Sequence, residues 1–314
     1  MGTRAPAVSH RSRPPSGRSA VRPRVRPSVR PGGRTRTLVA VSAALAVLAA
    51  GCGGSDDDSG GVPRPDHVVV VIEENRSYES IIGSAQAPYL NQLAREGANL
   101  TQFFAITYPS QPNYIALFSG STHGVKNNDC PHDLPGRSLG SELLQADLTF
   151  TGYAEDLPEV GYRGCTSGAY VRRHNPWVNF TSLPASVNRP FTDFPTDYSK
   201  LPTVSFVVPN LDNDMHDGSV RRADTWLRDN LGDYARWAKT HNSLLVVTWD
   251  EDEGGGDEDN QIPTVVVGEQ VEPGDHDQPN NLYGLLRTIL DAYGLDPLGH
   301  GADAKPLDIW KDAD

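Results

Sequence analysis

Two β-branched runs in this 314-residue chain end in carboxylates. Residues 67–72 (HVVVVI) lead into Glu73-Glu74, and residues 244–249 (LLVVTW) lead into Asp250-Glu251-Asp252-Glu253. Continuous apolar runs of this kind are central strands of a parallel sheet, buried on both faces. In doubly wound α/β domains, ligands gather at the carboxyl ends of such strands. Carboxylates placed there oppose one another's ionisation unless a cation lies between them. Oxygen donors suit a hard divalent ion such as Mg²⁺, Ca²⁺ or Mn²⁺, so Glu74 and Asp250 are read as metal ligands. Asp257-Glu258-Asp259 reads instead as a solvated acidic loop. Between the two runs, an apolar stretch (100–106) passes through Tyr108-Pro109-Ser110-Gln111-Pro112 into a helix. A serine at a helix N-terminus is often only a cap. Its amides and dipole also favour an anion, and a metal beside it lowers the hydroxyl pKa and makes it a nucleophile toward a phosphoryl group.

Further β-branched runs lie at 204–208 and 264–267, with helical patterns at 87–96, 113–118, 138–145, 221–239 and 282–293. Buried strands alternating with helices define an α/β domain with a central, mainly parallel sheet. The helical pattern at 221–239 carries Trp226, Leu227, Leu231, Tyr234 and Trp237 at the spacing of a core-facing stripe. Residues 125–200 are rich in Pro, Asn, Gly and aromatics with weak periodicity, and are read as a loop-rich insertion into a single domain spanning 66–314.

Charge is unevenly placed. The whole chain carries 28 Lys and Arg against 40 Asp and Glu. Residues 1–52 hold ten arginines and no acid, which leaves 18 basic against 40 acidic residues, −22, for 53–314. So acidic a body excludes a nucleic-acid partner, whose backbone is held by Lys and Arg. Residues 1–36 have little to bury and read as a disordered segment or a leader. The apolar run at 38–50 is about 13 residues, shorter than the roughly 20 of a permanent span. With the basic region before it, the run is similar to a bacterial lipoprotein signal peptide with Ala49-Ala50-Gly51-Cys52 as lipobox. The similarity implies cleavage before Cys52, lipid on its thiol, and a flexible tether over 52–65 at the outer face of the cytoplasmic membrane. An ordinary secretory signal is the alternative. In an oxidising compartment, Cys130 and Cys165 are expected to form a disulfide.

Five motifs occur in order: Glu74-Asn75-Arg76-Ser77-Tyr78, Tyr108-Pro109-Ser110-x-Pro112-Asn113-Tyr114, Arg173-His174-Asn175-Pro176-Trp177, Pro209-Asn210-x-x-x-Asp214-Met215-His216-Asp217-Gly218 and Thr248-Trp249-Asp250-Glu251. Together they resemble the phosphoesterase family of secreted bacterial acid phosphatases and phosphatidylinositol-3-phosphatases, and more remotely the phospholipases C, over residues 66–295. The resemblance implies an alkaline-phosphatase-like three-layer sandwich and a metal-dependent phosphomonoesterase working through a phosphoserine; the chain is expected to be a monomer. It implies that Glu74, Asn75, Ser110, Asp250 and Glu251 hold a divalent metal and that Ser110 is the nucleophile. His123 and His216 are the expected proton donors, and Asn113, His174 and Asp214 the expected substrate contacts. Two imidazoles common in the family are missing, since Gln261 and Leu282 stand in their motifs, and His276 is a nearby substitute. A phospholipase C-type diesterase and a catalytically silent phosphate- or sugar-binding lipoprotein are the competing readings.

Overall fold

The structure is a computed structural model describing residues 61–254 and 259–312. The 38–50 run, Cys52 and most of the tether lie outside the described residues, as do Asp257 and Glu258. In chain order the main strands are β1 (His67–Glu73), β2 (Ala98–Leu100), β3 (Phe150–Ala154), β4 (Asn188–Pro190), β5 (Val204–Val208), β6 (Ser243–Trp249), β7 (Thr264–Gly268) and β8 (Gly274–His276). The longer helices are α1 (Pro88–Glu96), α2 (Ser110–Ser119), α3 (Leu139–Gln145), α4 (Val220–Ala238) and α5 (Leu282–Ala292).

The strands form one sheet in the order β8-β2-β7-β6-β1-β5-β3-β4. β1 lies between β5 and β6 and is parallel to both, with Val68 opposite Val204 and Leu244. β7 is antiparallel to β6 and to β2, and the other pairings in this sheet are parallel. Helices cover both faces: α1 packs on α4, and α2 on α3 and α5. That double cover explains the unbroken apolar run of β1, where Val68 to Ile72 are each at most 1% exposed. Each such side chain contributes about 1.5–3 kcal/mol. α4 buries Trp226, Leu227, Leu231 and Tyr234, and its Ser219 cap accepts from the Arg222 N–H. Asp224 on the same face accepts from the Tyr89 and Leu90 amides at 2.9 and 2.8 Å and so caps α1 from outside. Among the described residues, no helix is long and apolar enough to cross a membrane.

Residues 125–200 are not an appendage. They supply α3 and two sheet strands, β3 and β4, with β3 paired to β5 over five residues from Phe150↔Val204 to Ala154↔Val208. Irregular chain joins these elements, and Cys130 and Cys165 are bonded to each other there. Closing a loop of 35 residues stabilises by about 4 kcal/mol in the chain-entropy model. Arg172 lies at the centre of this region, 3% exposed. Its guanidinium donates to Asn179 Oδ1 and to the carbonyls of Arg163 and His132, at 3.1, 2.9 and 2.6 Å.

Trp177 presses its indole onto Gly152 of β3, where a Cβ would fall 2.1 Å from the ring. Gly152→Ala is therefore expected to destabilise the fold by about 1–3 kcal/mol and to displace the segment carrying His174. A melting temperature equal to that of the wild type would show that the indole yields freely.

Candidate active site

β1 and β6 run side by side, so their carboxyl ends emerge together, Glu73 opposite Trp249. Glu74 leaves one strand and Asp250 the other, and the Asn75 N–H donates to Asp250 Oδ1 at 3.1 Å. Asn75 has φ 52°, a left-handed conformation that asparagine tolerates. Its side-chain amide donates to Glu74 Oε2 at 2.9 Å.

α2 brings in the hydroxyl. The turn before it is pinned by Asn113, whose Oδ1 accepts from the Ile106 and Thr107 N–H groups, both at 3.0 Å, and whose amide donates to the Thr107 carbonyl at 2.7 Å. Ser110 begins the helix and is 3% exposed. Its Oγ donates to Glu251 Oε1 at 2.9 Å and lies 3.3 Å from Glu74 Oε2. One turn further along, the Tyr114 hydroxyl donates to Glu74 Oε1 at 2.8 Å. The same ring stacks on His174, with centroids 5.2 Å apart and planes within 4°. His174 Nε2 is 3.0 Å from Glu74 Oε1, and its Nδ1 is 3.2 Å from Asp214 Oδ2.

Two donor sets meet at Glu74. Glu74, Asn75, Ser110, Asp250 and Glu251 form an oxygen-rich side. Glu74, His174 and His216 form a mixed side, with ligand atoms mutually within 4.8 Å. The electrostatics register the crowding. Burial, then the charges of Glu74 and Glu251, push Asp250 well above the carboxylate range. Burial and the Glu74 charge lift Glu251 from 4.5 to about 7 against the bond from Ser110. Burial opposes charge on His174, yet Glu74 and Asp214 on either side raise it to about 9. Burial would raise Glu74, but His174 and Tyr114 bring it below its usual value.

These shifts set a slope of stability with pH. Groups with raised folded-state pKa values stabilise most below their unfolded values, and that contribution is lost as pH rises through the folded values. Glu251 (4.5 to about 7) and His174 (6.5 to about 9) place the loss between about pH 5 and 9. The lowered Glu74 acts oppositely, but only below its usual 4.5. The melting temperature of EDTA-treated protein is expected to fall across that window, and added divalent cation to flatten the fall. A melting temperature that rises toward pH 9 in EDTA would contradict this charge arrangement.

Several expected site residues hold different positions. His123 lies beyond the far end of α2, its Nε2 bonded to Ser119 Oγ at 3.0 Å and its ring against Phe180. Ser110 and Ser119 are separated along the helix by about 13 Å at 1.5 Å per residue, so His123 is not a proton donor here. His123→Ala should keep p-nitrophenyl phosphate turnover within about two-fold of wild type, and a hundred-fold loss would return it to the site. Asn113 is fully buried and bound to the turn: it positions Ser110 and does not touch substrate. Asp214 is also fully buried. One of its oxygens faces His174 and the other accepts from the His216 N–H at 2.8 Å, so it holds the two histidines. His174 is 1% exposed and belongs with the carboxylates. His216 stands on the rim, its side chain 29% exposed, with Nδ1 2.8 Å from Asp217 Oδ1 and Nε2 3.2 Å from Arg173 Nη2. Since a carboxylate and a guanidinium must accept and donate respectively, Nδ1 carries the hydrogen and Nε2 has none to give.

Gln261 donates to the Thr101 carbonyl at 2.7 Å, and Leu282 is packed at the start of α5. His276 bonds the Glu272 carbonyl on edge strand β8, four strands or about 19 Å from β1, and replaces neither missing imidazole. Two residues outside the expected set also shape the site. Tyr114 follows Ser110 by four positions on one helix face, a spacing that could have identified it. Asn128, whose Oδ1 accepts from the Gln111 N–H at 2.9 Å, arrives by loop and left no such signal.

The mainly parallel sheet between helices is a fold shared with solved structures of the alkaline phosphatase superfamily. Solved structures of similar fold include a protein in the alkaline phosphatase superfamily from Vibrio parahaemolyticus (TM-score 0.51, 15% identity, 79% of this chain and 74% of that one). Another is the lipoteichoic acid synthase LtaP of Listeria monocytogenes (TM-score 0.54, 14% identity, 76% and 74%). The chain belongs to the phosphoesterase family, whose model matches residues 84–296. It is 52% identical over 257 residues to the phosphatidylinositol-3-phosphatase of Mycobacterium tuberculosis, covering 80% of this chain and 85% of that protein. It is 32% identical to the phosphate-repressible acid phosphatase of Penicillium chrysogenum over 74% of this chain and 60% of the relative's length. The protein is a hydrolase of phosphoric esters.

Proposed function

We propose that the chain is a metal-dependent phosphomonoesterase of the acid phosphatase type that works through a Ser110 phosphoserine, with 3-phosphorylated inositol lipids as a substrate class. The observation that carries this reading is Ser110 itself, buried at the start of α2 with its Oγ held between Glu251 and Glu74. The lipid substrate class is supported by the Mycobacterium relative's name and identity. Export with a lipid anchor on Cys52 belongs to the same proposal, because a tethered enzyme outside the cytoplasm meets lipid headgroups directly.

The donor set fits a hard divalent cation. Among the described residues Asp250 Oδ2 is buried with no hydrogen-bond partner, and burial together with the neighbouring charges favours the protonated forms of Asp250 and Glu251, a cost that a cation between them would remove. Glu74, Asn75, Ser110, Asp250 and Glu251 would hold the ion, which when bound supplies positive charge that lowers the hydroxyl pKa. Glu251 Oε1, 2.9 Å from Ser110 Oγ, takes the serine proton. Oγ attacks phosphorus, the bond to the leaving oxygen breaks and that oxygen departs as an anion that takes a proton from solvent, and the phosphoserine sits where the α2 dipole favours an anion. Water then attacks phosphorus and releases one proton to solvent, replacing the one the leaving oxygen took, as the Oγ–P bond breaks and Glu251 returns the serine proton to Oγ. Asn113, Tyr114 and Asp214 keep the serine, Glu74 and His174 in place throughout.

The test is turnover of p-nitrophenyl phosphate and bis-p-nitrophenyl phosphate by residues 56–314, with EDTA and with added divalent ions. Metal-dependent cleavage of the monoester is the expected result. Preference for the diester would favour the phospholipase C-type reading, and indifference to EDTA would remove the metal.

A further inference from the structure

Arg173 and Arg76 converge on one dipeptide at the rim of the site. Arg173 Nη2 lies 3.2 Å from His216 Nε2, and Arg76 Nη2 donates to the Met215 carbonyl at 3.0 Å. Among the described residues, neither guanidinium has a carboxylate within 4 Å, although Glu74, Asp214, Asp250 and Glu251 are close by and eight other arginines form such pairs. Both of Arg76's terminal nitrogens are committed to carbonyls, those of Asn75 and Met215. Arg173 differs. Among the described residues its buried Nε has no hydrogen-bond partner, and its guanidinium has one hydrogen bond, to a ring nitrogen. The neighbouring Arg172 spends Nε, Nη1 and Nη2 on protein acceptors, so the vacancy belongs to position 173 and not to the segment. A planar donor fork, charged, uncompensated and partly unbonded, is matched to the oxygens of a tetrahedral anion. The site also requires one, because its carboxylates outweigh a single divalent cation and would repel a phosphate dianion.

We propose that Arg173 binds the substrate directly, its guanidinium taking two oxygens of the phosphoryl group as Nη2 leaves His216. This rests on the phosphomonoesterase reading and names the residue that selects for a phosphate-bearing group within it. The test is calorimetric titration of inorganic phosphate into the metal-supplemented protein: wild type, Arg173→Ala, Arg173→Lys, His216→Ala and the Arg173→Ala/His216→Ala pair. Hydrogen bonds to charged groups predict that Arg173→Ala binds phosphate roughly 10–100-fold more weakly, with Arg173→Lys, the variant that keeps the charge, in between. Turnover by Arg173→Ala should recover in part on adding guanidinium. Phosphate affinity unchanged in Arg173→Ala would overturn the proposal. So would a double variant that binds no more weakly than His216→Ala, because Arg173 would then act only by holding that ring. A wild type that binds phosphate through Arg173 but turns over no monoester would sink the catalytic reading and leave the anion contact standing.

Discussion

Ser110→Ala protein is expected to hydrolyse p-nitrophenyl phosphate roughly 10⁴-fold more slowly than wild type, or worse, while folding normally and keeping the other four metal donors, Glu74, Asn75, Asp250 and Glu251. Ser110 is 3% exposed and its hydroxyl faces the carboxylates, 2.9 Å from Glu251 Oε1 and 3.3 Å from Glu74 Oε2, so removing the oxygen takes away no contact to the hydrophobic core. The loss therefore falls on chemistry. Brief reaction of wild type followed by acid quenching should leave phosphate on the peptide containing Ser110, and the variant should leave none. Retention of a tenth of wild-type turnover by Ser110→Ala would mean that a water molecule or another residue attacks phosphorus.

Asp250→Asn is expected to separate activity from stability. Asp250 is fully buried at the end of β6, with Oδ2 unpartnered and its pKa well above the usual range. Without a cation this carboxyl is a burden on the fold, and an amide of the same shape relieves it. In EDTA the variant should melt at or above the wild-type temperature near neutral pH. With divalent ions the order should reverse, because wild type gains stability from the bound ion by mass action and the variant gains little. Activity at saturating substrate should drop by at least about 100-fold. Residues at such centres are retained against the stability of the free protein. A variant that melts lower than wild type in EDTA, or that keeps its activity, would show that Asp250 is structural.

The parts of the site legible in the sequence were those fixed by a strand or helix end. Glu74 and Asp250 could be placed because unbroken β-branched runs stop at them, and Ser110 because a Pro-Ser-x-Pro turn precedes a helix. His123 shows the limit of that reasoning. It follows the nucleophile motif closely in sequence, but an intact helix intervenes and carries it to the opposite end. Loop-borne partners such as Arg173 and Asn128 have no periodicity to read, and their contacts exist only once the sheet is assembled.

The missed strands have a similar cause. β3 (FTGYA) interrupts its apolar pattern with Gly152 because the Trp177 indole occupies the space of a side chain. β4 is three residues long and contains Pro190, which is admissible because it lies at the sheet edge. Both departures from strand composition are consequences of packing partners distant in sequence. The periodic elements at 204–208, 221–239 and 282–293 could be read because their burial is set locally.

The placement of β1 between β5 and β6 also governs when the enzyme becomes active as it folds. Asn75 meets Asp250 across 175 residues, and Ser110 meets Glu251 across 141. Helices such as α4 and α5 need only local contacts and form early, whereas closing loops this long carries an entropic penalty that makes the central pairing slow. On refolding from denaturant, the helical signal should therefore return before catalysis does, and the first turnover marks the moment the middle of the sheet is complete.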